Sequence, residues 1–138
     1  MPARDIFHNA VKNALIKDGW TITHDPYTIS YGQEDVFVDL GAERMLAAEK
    51  GHQKIAVEIK SFIGKSDIRD TEIAIGQYTF YRSLLQRSEP GRVLYLAVPY
   101  SAYVTTLNKE IVRPVLEDID VKLLAFDPGE EKVVIWKT

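Results

Sequence analysis

The spacing of apolar residues predicts an amphipathic helix near the start of the chain, over residues 5 to 18. The apolar residues that recur there at helical intervals are Ile6, Phe7, Ala10, Val11, Ala14 and Leu15. Asp5 is placed to cap this helix, and Gly19 is placed to end it. The stretch "WTITHDPYTI" then predicts an extended segment broken at Pro26, and "DVFVDL" predicts a second short strand.

The middle of the chain predicts a β-hairpin followed by a long helix. In "RMLAAEKGHQKIAVEIKSF", two β-like runs flank the charged, glycine-containing stretch "EKGHQK", a pattern typical of an antiparallel hairpin. Residues 67 to 87 predict one helix, with an acidic first turn at Asp67 and Asp70 and with Arg82 and Arg87 near the end. Its apolar positions are Ile68, Ile75, Tyr78, Leu84 and Leu85.

The last third of the chain predicts a buried strand, a helix and two closing strands. "RVLYLAVP" is a continuous apolar run, which is typical of a strand buried on both faces beside parallel neighbours. "VTTLNKEIVRPVLEDI" predicts a helix kinked or broken at Pro114. "VKLLAFD" and "KVVIWK" predict strands joined by the turn "DPGEE". The order of elements therefore predicts an α/β fold in which helices flank a mixed sheet.

Composition then narrows the class of protein. The 138 residues suffice for one domain with a core, and no repeat or linker divides them, so we expect a single domain over residues 1–138. The absence of cysteine excludes disulfides, zinc clusters and thiol catalysis, and it favours an intracellular protein. No window approaches the ~20 apolar residues of a membrane span. These features predict a cytoplasmic protein without a membrane partner.

The formal net charge of −3 at pH 7 bears on nucleic-acid binding. Proteins that bind DNA or RNA on their own usually carry a basic surface that neutralises phosphates. In this chain any such surface is local, or a partner supplies it, or nucleic acid is not the substrate.

The candidate chemistry lies in "KIAVEIKSF", residues 54 to 62. Side chains of a strand alternate, so Glu58 and Lys60 share the face opposite the apolar one. Asp39 ends the upstream strand, and the hairpin can bring it beside Glu58. Two carboxylates and a backbone carbonyl, that of Ile59, form a hard oxygen site suited to Mg²⁺. Lys60 is then placed to contact the attacking water or the phosphate.

Two further side chains favour this interpretation, although each has a structural alternative. Gln77 and Tyr81 are one helical turn apart and therefore project from one face, where they can bind a phosphate or support the metal site. Alternatively, Tyr81 belongs to the core and Gln77 to the surface. Glu58 and Lys60 also have a structural alternative, in which they are a solvated charged pair on the polar face of the strand.

Together these residues resemble the PD-(D/E)XK nuclease superfamily, with Asp39 as the first acid, Glu58 and Lys60 as the acid and lysine, and "QYTFY" as the Gln-x-x-x-Tyr motif of RecB-like branches. The resemblance implies a restriction-endonuclease-like core. The order of elements fits that core. The resemblance to this superfamily also implies Mg²⁺ or Mn²⁺ as the cofactor.

More closely, the chain is similar to the XisH family, the fdxN element excision controlling factors of cyanobacteria. The resembling stretches are "FHNAVKNALIKDGWTITHDP", "VDLGAE", "AAEKG", "KIAVEIKSF", "IGQYTFYR" and "RVLYLAVP". This resemblance implies a role in DNA excision, a programmed DNA rearrangement of heterocyst differentiation, beside an XisI-type partner.

The chain departs from the nuclease pattern at three places. Val38 stands where the motif has a proline before Asp39. His8 occupies the place where RecB-like nucleases offer a histidine ligand, or it is a surface or packing residue. Glu43 and Glu49 are competing acids, either of which can replace Asp39 as a ligand or simply decorate the hairpin.

Two hypotheses of different classes follow. The first is a metal-dependent endonuclease that hydrolyses DNA phosphodiesters, with Asp39 and Glu58 holding the metal, Lys60 serving the water, and Gln77 and Tyr81 positioning the strand. The second is a non-catalytic regulatory or DNA-binding subunit that acts with an XisI-type protein. The intact motif favours the first hypothesis, and the acidic net charge favours the second. The sequence leaves the oligomeric state open, and a homo-oligomer is one of the alternatives.

Overall fold

The computed structural model describes residues 5–45 and 52–137. The α-helices of this part are α1 (His8–Lys17), α2 (Asp67–Ser88), α3 (Tyr100–Val104) and α4 (Arg113–Ile119), and a short 3-10 helix covers Thr106–Asn108. Its strands are β1 (Thr21–His24), β2 (Tyr27–Tyr31), β3 (Glu34–Val38), β4 (Leu40–Met45), β5 (His52–Ile59), β6 (Arg92–Pro99), β7 (Leu123–Asp127) and β8 (Lys132–Lys137). Within the described residues, no helix is both long and apolar enough to span a membrane.

Six strands form one mixed sheet in the order β1-β4-β5-β6-β7-β8, and β2 and β3 form a separate antiparallel hairpin. The strands β5, β6 and β7 run parallel, whereas β1, β4 and β8 pair antiparallel with their neighbours. This arrangement confirms the predicted α/β fold with a mixed, helix-flanked sheet. It also confirms the parallel neighbours expected of β6.

The sheet is covered on both faces, which accounts for the apolar content of its central strands. On one face, Val11 and Leu15 of α1 pack in a cluster with Ile55, Val57 and Ile59 of β5. On the other face, residues of α2 and of the β2–β3 hairpin pack in a cluster that includes Ala56. The alternation expected along β5 is therefore confirmed, and it directs Glu58 to the face that α2 covers.

The ends of the two longest helices follow local chemistry. The Asp5 carboxylate accepts a hydrogen bond of 2.9 Å from the Phe7 backbone N–H just before α1, and Gly19 follows the helix with a φ of +92°. At the start of α2, the Ser66 hydroxyl accepts a hydrogen bond of 3.1 Å from the Arg69 N–H. Each carboxylate or hydroxyl satisfies a backbone N–H that has no partner within the helix.

The first arm of the hairpin before β5 begins earlier than the pattern predicts. The predicted arm starts at Arg44, but β4 starts at Leu40, directly after Asp39, and its connection to β5 lies outside the described residues. The alternation of β4 explains the difference, because Leu40 and Ala42 are fully buried in the same cluster as α1. Asp39 therefore stands at the start of the strand that pairs with β5.

The segment around Pro114 is helical and broken, which confirms one of the two predicted alternatives, but the breaks lie before Pro114. The segment forms α3, a 3-10 helix and α4 as three short pieces, and α3 begins at Tyr100, immediately after β6. Thr105 leaves the helical region, with φ −109° and ψ −82°. Pro114 lies in the first turn of α4, where its missing N–H costs no helical hydrogen bond, so it starts a helix instead of kinking one.

Candidate functional site

Asp39 and Glu58 converge where β3 passes into β4 and β5 ends. Leu40 pairs with Val57 in the antiparallel ladder, so Asp39 stands opposite Glu58. The Asp39 backbone N–H donates a hydrogen bond of 3.3 Å to Oε1 of Glu58, and the Ile59 N–H donates one of 2.7 Å to Oδ2 of Asp39. Each carboxylate is thus held by a backbone N–H of the opposite strand.

Burial controls the protonation of this acid pair. Glu58 is only 8% exposed, and burial together with the nearby Asp39 charge raises the pKa of Glu58 to about 9. Burial also raises the pKa of Asp39, although the hydrogen bonds from Ile59 and Glu58 oppose the rise. Two like charges this close repel each other, so without a cation the pair retains a proton at neutral pH, mainly on Glu58.

Because the folded protein retains this proton, we expect the metal-free protein to lose stability as the pH rises. Between about pH 4.5 and 9, folded Glu58 keeps a proton that the unfolded chain has released, so raising the pH favours unfolding. We expect the free energy of unfolding in EDTA to fall from pH 5.5 to 8.5, by at most about 1.4 kcal/mol per pH unit. Urea titrations should show this slope in the wild type and a flatter one in Glu58→Gln.

The matched control is Glu110→Gln, which neutralises an exposed glutamate between the 3-10 helix and α4. It should keep the slope of the wild type. Equal slopes in the wild type and in Glu58→Gln would contradict the assignment of the proton to Glu58.

Lys60 follows the last residue of β5 and lies beside the acid pair along the chain. Its backbone N–H donates a hydrogen bond of 2.9 Å to the Ala97 carbonyl of β6, which extends the parallel ladder by one residue. Its side chain is half-buried. Among the described residues, the lysines that form ion pairs are Lys12, Lys54, Lys109 and Lys132, and Lys60 is not one of them.

The helix α2 brings one of the two predicted substrate-binding side chains to the acids. Tyr81 is half-buried, and its pKa is raised by burial and by the charges of Glu58 and Asp39, so its hydroxyl lies within electrostatic reach of both. Gln77, one turn earlier, is exposed. Tyr81 also packs against the core cluster on the α2 face, whereas Gln77 lies in solvent, in line with the structural alternative for both side chains.

His8 is buried at the start of α1 and is oriented by Asp25. Its Nε2 lies 2.7 Å from Oδ1 of Asp25, while Lys12 Nζ lies 2.9 Å from Oδ2 of the same carboxylate. Nδ1 of His8 is buried and has no hydrogen-bond partner within the part of the chain that the structure describes. When protonated, His8 lowers the pKa of Asp39, against the larger effect of burial, so the imidazole lies near the acid pair.

Sequence reasoning missed Asp25. The position of Asp25 follows from the strand pairing. His24 pairs with Gly41, and the antiparallel ladder then carries Asp25 to the end of the sheet where Asp39 precedes β4. Asp5 was expected only to cap α1, yet its charge also raises the pKa of both Asp39 and Glu58. Both acids come from segments far from Glu58 in sequence.

Glu43, one of the two competing acids, is not brought to this site. Glu43 lies four strand positions from Asp39, about 13 Å along β4, and it faces other charged groups. Its carboxylate lies 4.0 Å from Lys54, 3.8 Å from Arg92 and 3.9 Å from His52. Glu49 lies outside the described residues.

The fold and the site together define an α/β protein with a buried acid pair at one end of a mixed sheet. The family model of the XisH protein matches residues 1–134, and the chain belongs to the XisH family. No curated protein matches the chain.

Two solved structures resemble it over almost the whole chain. A crystal structure of an XisH family protein from Nostoc punctiforme is 42% identical with a TM-score of 0.88, covering 97% of this chain and 100% of that one. A crystal structure of an fdxN element excision controlling factor protein from Anabaena variabilis is 43% identical with a TM-score of 0.88, covering 98% and 100%.

Proposed function

We propose that this protein is a cytoplasmic, metal-dependent endonuclease of the PD-(D/E)XK type that hydrolyses DNA phosphodiesters during excision of a genomic element. The observation that supports the proposal is the convergence of Asp39 and Glu58, followed two residues later by Lys60. The Anabaena variabilis relative is described as an fdxN element excision controlling factor, which supports the biological setting. We propose that this excision belongs to the programmed DNA rearrangement of heterocyst differentiation, as the resemblance of the chain to the XisH family implies.

The acid pair fits a hard divalent cation such as Mg²⁺ or Mn²⁺. In the described part of the chain, no three His, Asp or Glu side chains are grouped as a ready metal site. Mg²⁺ usually keeps several waters and needs only one or two carboxylates, so Asp39, Glu58 and the Ile59 carbonyl suffice as protein ligands. The raised pKa of Glu58 supports the fit, because a cation compensates the repulsion that otherwise keeps a proton on the pair.

His8 is a further candidate ligand. Its Nε2 faces the Asp25 carboxylate, so in the neutral form that binds a metal the ring would carry its proton on Nε2 and present the Nδ1 lone pair. Nδ1 is the buried atom without a partner among the described residues, as expected of a group reserved for a ligand. A carboxylate that orients a histidine in this way is a common feature of metal sites.

The other residues have separate roles in the proposed reaction. A divalent ion in this site would acidify a bound water and neutralise charge that develops on the phosphate. The Lys60 ammonium orients the attacking water and stabilises the phosphate oxygens. The Tyr81 hydroxyl donates a hydrogen bond to a phosphate oxygen next to the acids, and Gln77 contacts the same DNA strand from one helical turn away.

Metal binding predicts a thermal shift that depends on Asp39. At a Mn²⁺ concentration about 100 times the dissociation constant, binding adds ~2.7 kcal/mol, or roughly 5 to 10 °C in melting temperature. We expect Asp39→Asn to remove this shift, since the amide keeps the hydrogen bond from the Ile59 N–H but loses the charge. Differential scanning fluorimetry provides the measurement.

Asp118→Asn, which changes an exposed acid of α4, serves as the control and should shift like the wild type. If neither Mn²⁺ nor Mg²⁺ changes the melting temperature of the wild type, the metal site is ruled out. A shift of equal size in Asp39→Asn would show that the metal binds elsewhere in the protein.

The direct test of the proposed function is incubation of the purified protein with labelled single-stranded, duplex and branched DNA. We expect cleavage in Mg²⁺ or Mn²⁺ and none in EDTA. Binding of metal and DNA without cleavage under all these conditions would overturn the catalytic proposal.

A second candidate function is a non-catalytic regulatory or DNA-binding subunit that acts with an XisI-type protein, as a hetero- or homo-oligomer. The formal net charge of −3 favours it, because a partner then supplies the basic surface that DNA binding needs. Tight association with an XisI-type protein, together with no response to divalent metal, is the result that would favour this candidate.

A further inference from the structure

An aromatic stack stands at the same end of the sheet as the acid pair. Tyr100 begins α3 directly after the last residue of β6, and its ring lies on that of Tyr103 with centroids 6.2 Å apart and planes 22° apart. Tyr103 packs against the core on the α2 face, whereas Tyr100 remains 40% exposed. The stack is thus anchored on its inner side and accessible at the Tyr100 ring.

The strand register places this ring near Lys60. Ile59 pairs with Ala97 in the parallel ladder, and the Lys60 N–H bonds to the Ala97 carbonyl. Tyr100 follows Ala97 by three residues, directly after the end of the neighbouring strand β6. With ~4.8 Å between strands and ~3.3 Å per residue, the two backbones are about 8 to 10 Å apart. A phosphate at Lys60 therefore has the base of a nearby nucleotide within reach of Tyr100.

The chemistry of this surface suits an unpaired base better than a duplex. A tyrosine already stacked on a second ring loses little freedom when a base covers its open side. Stacking also supplies affinity without positive charge, which a protein of formal net charge −3 needs if it binds a polyanion alone. A paired base in a continuous helix is stacked on its neighbours and offers no open face.

We propose that Tyr100, supported by Tyr103, stacks against an unpaired nucleobase beside the phosphate held at Lys60, and that the substrate is therefore single-stranded or locally unpaired DNA. This inference rests on the proposed function and adds its substrate class. Tyr100 is then a residue that determines specificity, and Tyr103 is a positioning residue that holds it.

The test compares binding of a fluorescein-labelled oligothymidine with binding of a duplex of equal length, measured by fluorescence anisotropy. Ca²⁺ replaces Mg²⁺, because it takes the same kind of oxygen ligands. For Tyr100→Ala we expect about 5- to 150-fold weaker binding of the single strand, the range for loss of one stacked base, with little change for the duplex. Tyr100→Phe keeps the ring and should bind within about two-fold of the wild type.

Tyr31→Ala is the matched control. Tyr31 is 46% exposed and lies at the turn end of the β2–β3 hairpin, opposite the end where Tyr27 pairs with Val38. This variant should bind both DNAs like the wild type. A 2-aminopurine base placed along the strand reports stacking directly, and its fluorescence should be quenched by the wild type and by Tyr100→Phe but not by Tyr100→Ala.

The outcomes separate the two proposals. If the wild type binds and cleaves DNA but Tyr100→Ala binds the single strand equally well, the stacking site is wrong and the nuclease function stands. If Tyr100→Ala weakens single strand and duplex alike, the selectivity for unpaired bases is wrong. If the wild type binds neither DNA, both proposals fail.

Discussion

Replacement of Lys60 by methionine is expected to slow Mg²⁺-dependent DNA cleavage by about 10²- to 10³-fold. Methionine keeps much of the length of the side chain but removes the ammonium that, in the proposed reaction, orients water and stabilises the phosphate. The backbone hydrogen bond from residue 60 to Ala97 does not depend on the side chain, so the fold should persist. Single-turnover rates on end-labelled DNA measure the effect, and circular dichroism checks that the variant is folded.

The matched control for this experiment is Lys65→Met, which changes an exposed lysine in the loop between β5 and α2. It should cleave at the rate of the wild type. Cleavage that survives in both Lys60→Met and Glu58→Ala would indicate a contaminating nuclease. A purified Lys60→Met protein that cleaves at the wild-type rate, while Glu58→Ala is inactive, would remove Lys60 from the mechanism.

The largest loss of stability is expected for Tyr78→Ala, at about 4 kcal/mol or more. The side chain is fully buried in the cluster on the α2 face of the sheet. Its hydroxyl donates a hydrogen bond of 3.1 Å to the Leu94 carbonyl and accepts one of 3.0 Å from the Lys122 N–H. The substitution leaves a cavity and removes the link between α2, β6 and the start of β7. Urea unfolding followed by circular dichroism measures the change.

Tyr78→Phe separates the two contributions. It fills the same space but leaves two backbone groups without their partner, so we expect a loss of ~1 to 3 kcal/mol. Tyr81→Phe is the control, because Tyr81 lies on the same helix one turn later and is only half-buried. Equal losses in Tyr78→Ala and Tyr78→Phe would show that packing contributes little there. A loss below ~1 kcal/mol in both would contradict the role of Tyr78 in the core.

Most elements could be predicted from the sequence because their signals are local. The helical stripe of α1, the acidic first turn of α2 at Asp67 and Asp70, and the apolar run of β6 each depend on residues within a few positions of one another. The alternation in "KIAVEIKSF" likewise separates Glu58 from the apolar face without reference to the rest of the chain. The sequence left a kink and a break at Pro114 open, because a proline in a first turn and a proline in a kink share the same local pattern.

The partners within the site could not be predicted in the same way. Glu43 and Asp39 are both acids before the same strand, and only the register of β4 against β5 places Asp39 opposite Glu58 and Glu43 among Lys54 and Arg92. The contact between His8 and Asp25 depends on how α1 packs over the end of β1. These choices are made by long-range pairing, which a residue's neighbours in sequence do not specify.

By itself, the sequence determined the α/β class, the polarity of β5 and the residues proposed for metal-assisted chemistry, because periodicity and side-chain chemistry are properties of short stretches. Only the tertiary structure decided which acids meet, that Glu58 retains a proton beside Asp39, and that the Tyr100 ring stands at the same end of the sheet. The physical reason is that strand register and burial set distances and local dielectric, and both arise from contacts between segments far apart along the chain.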